Sequence, residues 1–332
     1  MRRYWWFTLL ALAAGCQAPA ARSGAHAAAG EGDDALARLA GTLAGEYDNH
    51  EQVQRAAAAA SNGAALAVPH VHVEWRLVSS DRGASGLWLA RLKTLDASAN
   101  ADAVWLYLIS SADGGRRVVL TPYRGLDPAA AAAAFNERTS EFKFVAAQWA
   151  ELAPCAQSGE WKNGQFSATA NAAACSALLP GLGASAALLP LRIGFDGDML
   201  RIATFADQAR GGAAESEARR VVWFNGWSAI SGGGRSARAD NQDWHTQQNL
   251  RLSSEGGRIP IRWRDGAPSG YSLELERRTY TERKLSVLEL SVVEDASGRV
   301  LDYAWTSPQA TAIGLNLGWL QVGFTIAPAA AD

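Results

Sequence analysis

Apolar and polar positions change period several times along this chain. Arg2 and Arg3 precede an apolar run from Tyr4 to Ala14, which ends in Leu12-Ala13-Ala14-Gly15-Cys16. The run is shorter than the ~20 apolar residues of a membrane span. A basic start, a short apolar centre and a small-residue end make an export signal over residues 1–15. Residues 17–32 are small, polar and unpatterned, the mark of a flexible tether in which His26 is simply solvated. Asp33 and Asp34 then offer N-caps, and Leu36, Leu39, Leu43 and Tyr47 recur at helical spacing. They predict one amphipathic helix, broken by the glycine and Asp-Asn of residues 45–49.

Beyond residue 50 the period becomes two. Val71, Val73 and Trp75 alternate with His70, His72 and Glu74; Leu87 and Leu89 flank Trp88; and Val104 to Ile109 is a nearly continuous apolar strand. Asp113-Gly114-Gly115 ahead of Val118-Val119-Leu120 is a hairpin signal. A helical interlude opens at Asp127-Pro128, an N-cap followed by proline at N1, and helical spacing continues through Phe144, Val145, Gln148, Trp149 and Leu152. Further strands are expected at 160–168, 187–195, 200–205 and 221–230. The glycines of Ser231-Gly232-Gly233-Gly234-Arg235-Ser236, and the polar stretch after them, place a boundary and linker at 231–248. More strands follow at 259–263, 271–276, 285–293, 300–305 and 315–326. The pattern predicts a mainly β protein: an antiparallel barrel over 33–230 with a few short helices, and a C-terminal antiparallel β region over 249–328.

Composition adds an address and a staple. The 332 residues carry a formal net charge of −2 with acids and bases balanced, and no basic patch points to nucleic acid. Cys16 directly after Ala14-Gly15 reads as a bacterial lipobox, so signal removal leaves Cys16 as the lipidated first residue of a tether over 16–32. Gln17, where aspartate would retain the protein at the inner membrane, favours the outer membrane and a periplasm-facing body held by its lipids. The other two of the three cysteines, Cys155 and Cys175, form an even pair in an oxidising setting and are expected to be disulfide-bonded. Thirteen tryptophans suit a strand-rich core or a concave apolar pocket.

Three motifs resemble a known family. Gly45, Tyr47, Asn49 and Gln52 match the opening signature of the CpcT/CpeT chromophore lyases; Cys155, Trp161, Gly164, Phe166 and Cys175 resemble its cysteine-flanked W-x-G-x-F segment; and Trp223 to Trp227 sits where its last strand would. The resemblance covers about 35–230 and implies a calycin-type, lipocalin-like barrel that binds a bilin, an open-chain tetrapyrrole, and attaches it to a cysteine of a partner protein without metal or nucleotide. The chain departs from the family where an acid and paired arginines are usual, having Leu87-Trp88-Leu89-Ala90-Arg91 and Val104 to Leu108 instead. Export also separates it from the cytoplasmic phycobiliproteins those lyases serve.

His70, His72 and Glu74 would share one face of a strand, about 6.5–7 Å apart in steps of two. Three readings stay open for them: a zinc site with an open position, polar residues lining a pocket, or a solvated face. Tyr47, Asn49 and Gln52 offer groups that pair with pyrrole N–H or carbonyl groups, or else they stabilise a turn. Arg124, in Pro122-Tyr123-Arg124, is a candidate anion contact. The expected ligand-binding set is thus Tyr47, Asn49, Gln52, His70, His72, Glu74 and Arg124, with no catalytic residue assigned and no metal. The leading expectation is an envelope lipoprotein whose barrel binds a hydrophobic or bilin-like ligand. An active bilin lyase and a structural envelope factor that contacts a protein partner are the alternatives.

Overall fold

A computed structural model describes residues 35–60, 68–81, 85–95, 101–209, 215–238, 240–280, 283 and 285–328. The export signal, the lipidation site Cys16 and the tether lie outside the described residues. Asp33–Asp332 form one compact unit. Among the described residues no helix is long and apolar enough to cross a membrane.

The first half is a closed antiparallel barrel. Its strands are β1 (Gly45–Asp48), β2 (Val71–Asp81), β3 (Ser85–Thr94), β4 (Asp102–Ala112), β5 (Arg117–Gly125), β7 (Gln157–Lys162), β8 (Gln165–Ala170), β9 (Pro190–Asp196), β10 (Met199–Thr204) and β11 (Ser216–Arg220). A short β6 (Trp149–Glu151) lies along β5. Each strand pairs with the next, and β1 against β11 closes the ring of ten. Alternation explains the layering. Val73 and Trp75 of β2, Trp88, Ala90 and Leu92 of β3, Trp105 and Tyr107 of β4, and Phe166, Ile193 and Phe195 of β8 and β9 fill the interior. Helix α1 (Ala35–Leu43) adds Leu36, Leu39 and Leu43 to this core. It lies at the end where β7 turns into β8, and the Trp161 indole N–H donates to the Ala35 carbonyl (3.1 Å). On the outside, Leu89 and Leu106 are covered by Ala131 and Phe135 of α3 (Pro128–Asn136) and by Trp149.

Several elements differ from the sequence pattern. The first helix ends at Leu43, and Tyr47 belongs to β1, pairing with Val73 and Arg220. A second helix, α2 (His50–Ala60), follows where no element was expected, and the Asp48 carboxylate accepts the His50 N–H (2.8 Å) at its start. The expected helix through Phe144 to Leu152 stops at Asn136, because Trp149–Glu151 is extended and pairs with β5. The single strand expected at 160–168 is a hairpin. Asn163 (φ 52°) and Gly164 (φ 82°) adopt the left-handed turn that joins β7 to β8, a conformation glycine and asparagine tolerate best.

The second half is an eight-stranded, nearly closed antiparallel sheet. Its strands are β12 (Trp223–Ser231), β13 (Trp244–Ser253), β14 (Glu255–Arg262), β15 (Pro268–Tyr280), β16 (Leu285–Glu294), β17 (Arg299–Thr306), β18 (Ala312–Asn316) and β19 (Leu320–Ile326), in the order β17-β16-β15-β14-β13-β12-β19-β18. It has its own core of Phe224, Leu250, Leu252, Leu273, Leu275, Leu288, Leu290 and Phe324. The chain passes from one sheet to the other at Val221 and Val222, ahead of β12. The segment expected as a linker, 231–248, instead contains the β12–β13 connection and the start of β13.

Cys155 and Cys175 are disulfide-bonded, both fully buried, with Cα atoms 4.6 Å apart. The bond ties the chain ahead of β7 to α4 (Ala172–Ser176). Closing a loop of that length stabilises the fold by about 3 kcal/mol through the unfolded chain's lost entropy.

Candidate functional site

Five of the seven expected ligand-binding residues gather around β1 and the start of α2, on the side of the barrel facing the second sheet. β1 puts Glu46 and Asp48 on one face, and its register with β2 sets Asp48 opposite His72. Asp48 Oδ1 lies 2.8 Å from His70 Nε2, and its Oδ2 lies 3.1 Å from His72 Nδ1. Glu46 Oε2 is 3.5 Å from His72 Nε2, while its Oε1 accepts the Trp223 indole N–H at 2.9 Å. Asn49 is buried: its amide donates to Pro69 O (2.9 Å) and Gln52 Oε1 (3.1 Å), and its Oδ1 accepts Val71 N–H (2.7 Å). Gln52 donates to Glu215 O and accepts from Glu217 N–H. The amides of Asn49 and Gln52 therefore stitch α2 to β2 and β11. The hydroxyl of Tyr47, also buried, donates to Thr42 O (2.5 Å) and receives Arg220.

The other two residues stand apart from this group. Glu74 pairs with Arg76 (2.6 Å), whose guanidinium lies over the Phe135 ring. Arg124 donates to Gly181 O. The zinc reading finds no support: among the described residues no three His, Cys, Asp or Glu side chains are placed to hold a metal ion.

What the sequence pattern missed is the other half of the cluster. His50 Nε2 lies 3.2 Å from Glu276 of β15. Glu51 pairs with Arg219 and accepts the Thr279 N–H (2.7 Å). Arg277 donates to Glu255, to Asp198 (3.2 Å) and to the Arg220 carbonyl. These groups form one charged seam between barrel and second sheet. Acid alternation on β1 was the only local signal for it.

Burial sets the charge states here, opposed by partners. Burial works against an imidazolium at His72, but its bonds to Asp48 and Glu46 and their charges outweigh it and carry the pKa up to about 9. The Glu276 hydrogen bond raises His50, burial only partly countering it. Asp48, Glu46 and Glu276 are each opposed by burial yet held below the usual carboxylate range, Asp48 by His70 and His72, Glu46 by His72 and Trp223, and Glu276 by His50 and Arg278. Burial pushes Glu255 up to about 7 against the pull of Arg277 and Arg219. The signs give a testable pH dependence. The raised His72 contributes stability that is complete below about pH 6.5 and lost as pH rises through about 9. Glu255 loses its contribution between about pH 4.5 and 7, while the three depressed carboxylates lose theirs as pH falls below about 4. Stability should therefore peak near pH 5–6. Urea midpoints at pH 6 and pH 9 are expected to differ by about 1–3 kcal/mol in stability, and His72→Gln is expected to remove most of that difference.

A separate feature lies inside the barrel. At the end opposite α1, Val71, Val73, Leu92, Leu188 and Ile202 surround a largely apolar cavity of about 160 Å3, with Thr94, Thr204, Asp207 and Ser216 in its wall. One pleat deeper, about 7 Å along the strands, Trp75, Ala90 and Trp105 are register partners across β2, β3 and β4. The indole nitrogens of Trp75 and Trp105 and the hydroxyl of Tyr107 are buried without a hydrogen-bond partner. The Trp75 and Tyr107 rings lie 5.0 Å apart. Three orphaned donors in one barrel are unusual, since buried polar groups are nearly always paired. Comparison of the chain with family models, with curated proteins and with solved structures finds no match in any of the three.

Proposed function

We propose that this chain is a lipid-anchored binding protein of the cell envelope, with a barrel related to those of the CpcT/CpeT lyases. Its barrel end takes an apolar small molecule that carries an acceptor oxygen. Two observations stand behind this reading: a largely apolar cavity at the barrel end, and, deeper along the strands than its lining, the unpartnered donors of Trp75 and Trp105 and, one pleat further, of Tyr107. A dry aliphatic cavity near 150 Å3 accepts a guest about the size of benzene. The ordinary range for a drug-sized ligand begins at about 300 Å3. The volume thus supports a single ring or short chain over a whole bilin, which would have to displace the tryptophans below. A carbonyl or carboxylate on the guest would supply the acceptor those donors lack. The lipid anchor at Cys16 and outer-membrane sorting by Gln17 belong to the same proposal. Attachment of a bilin to a partner's cysteine remains the enzymatic alternative, tested by the same experiment.

The test uses the full lipidated chain in lipid nanodiscs, with acetophenone, ethylbenzene and biliverdin as probes. Saturation-transfer NMR is expected to show acetophenone bound more tightly than ethylbenzene. Trp105→Phe should erase that preference, and Ala206→Phe, which fills the cavity lining, should abolish binding of both. Equal binding of the two aromatics, unchanged in Trp105→Phe, would overturn the reading. A stoichiometric shift in biliverdin absorbance would overturn it in favour of the lyase-like alternative.

A further inference from the structure

The second sheet carries a site of its own. Where β12 leaves the sheet, the connection to β13 and the turn between β14 and β15 line an open surface cavity of about 470 Å3. Its side chains are Asn241, Asp243, His245, Trp263, Arg264 and Asp265.

The cavity is built rather than incidental. A Cβ at Gly232 would stand 2.7 Å from Asp243 Oδ2, so a larger residue there would push that carboxylate aside. The Asn241 amide donates to Gly232 O, and its Oδ1 accepts the Asp243 N–H at 2.9 Å, which fixes the loop on both sides of the carboxylate. Asp243 Oδ2 lies 3.3 Å from His245 Nε2, and Arg264 is 3.8 Å from Oδ1. His245 Nδ1 is buried without a hydrogen-bond partner, and its ring meets Trp263 edge to face at 5.3 Å. Trp263 is half-buried, packed against the second core while also lining the cavity.

The chemistry of these groups selects the ligand. An indole face beside convergent carboxylate, amide, imidazole and guanidinium groups offers an apolar plate ringed by both donors and acceptors. Two carboxylates stand against one guanidinium, so an anion is disfavoured. A neutral ligand with an apolar face and many hydroxyls satisfies every group at once. The volume suits one or two six-membered rings. We infer that this cavity is a carbohydrate-binding site that stacks a pyranose ring on Trp263 and holds its hydroxyls with Asp243, Asp265 and Asn241.

Saturation-transfer NMR on the full chain, with the methyl glycosides of glucose, galactose, mannose and N-acetylglucosamine, tests this. At least one glycoside is expected to bind saturably. Its affinity should fall about tenfold or more in Asp243→Asn and in Asp265→Ala, the loss expected when a hydrogen bond to a charged group is removed. Asp265 is exposed and its carboxylate accepts the Ala267 N–H in the turn (3.0 Å), so Asp265→Asn, which keeps that acceptor, is run beside Asp265→Ala, and an unchanged urea midpoint verifies the fold of both. Trp263→Phe should retain weakened binding through its remaining ring. The inference is overturned if none of the four glycosides binds, if binding is indifferent to both aspartate variants, or if tetramethylammonium binds there and no glycoside does.

Discussion

Arg277→Ala is expected to cost about 3 kcal/mol of folding stability, because it leaves the buried Glu255 carboxylate with only the more distant Arg219 (3.7 Å) and the Ser254 hydroxyl. Arg277 is only 9 % exposed and Glu255, which it contacts, has a side chain 1 % exposed. The same guanidinium reaches Asp198 between β9 and β10 and the Arg220 carbonyl at the end of β11, so it bolts the barrel to the second sheet. A loss of that size is a large share of the 5–15 kcal/mol that holds a typical domain together. Burial already pushes Glu255 up to about 7, and without Arg277 the carboxyl would keep its proton to still higher pH. The variant should therefore lose more stability at pH 8 than at pH 5 in urea titrations. The double variant Arg277→Met/Glu255→Gln should recover most of the loss, since the buried carboxylate is gone and Arg219 keeps its partner Glu51. Equal losses at both pH values would show that lost packing, not the stranded charge, dominates.

Trp105→Ala is expected to cost about 3–5 kcal/mol, the range for removing a large aromatic from a close-packed interior. Trp105 is fully buried in β4, between Ala90 and Arg124 in the sheet. Trp105→Phe should cost clearly less than the alanine variant, because the cavity it leaves is smaller. It keeps most of the buried ring and discards an indole N–H that no protein group accepts. Urea denaturation of the two variants against the parent chain measures the contrast. A Phe variant as damaged as the Ala variant would mean that the indole N–H is satisfied in the native protein.

Much of the fold was legible because it rests on short-range pattern. Val71, Val73 and Trp75 announce a strand with one apolar face, and that face is the barrel interior. Asp127-Pro128 announces a helix start, and the Asp127 carboxylate does accept the Ala129 N–H. The even pair Cys155 and Cys175 is a disulfide. Helix α2 was missed because it has no buried residue and hence no apolar stripe to read. It is held from outside, by Glu51 on Arg219 and by Gln52 on β11. The passage between sheets at Val221 and Val222 was missed for a different reason. Strand alternation looks the same on both sides of it, and only pairing partners tell one sheet from the other.

The candidate sites divide along the same line. The sequence alone determined that Asn49, Gln52, His70 and His72 are polar groups close to an apolar strand pattern. It also determined a strand-rich body full of tryptophan. Only the tertiary structure decided that Asp48 spends His70 and His72, that Glu51 reaches residues 168 and 228 positions away, and that Trp75 and Trp105 leave their donors unpaired beneath a cavity. The physical reason is range. Backbone periodicity, caps and turns act over a few residues and are written locally. Charge pairing, burial and cavity shape depend on which distant strands become neighbours, and that is settled when the ring of ten strands closes and the second sheet docks against it.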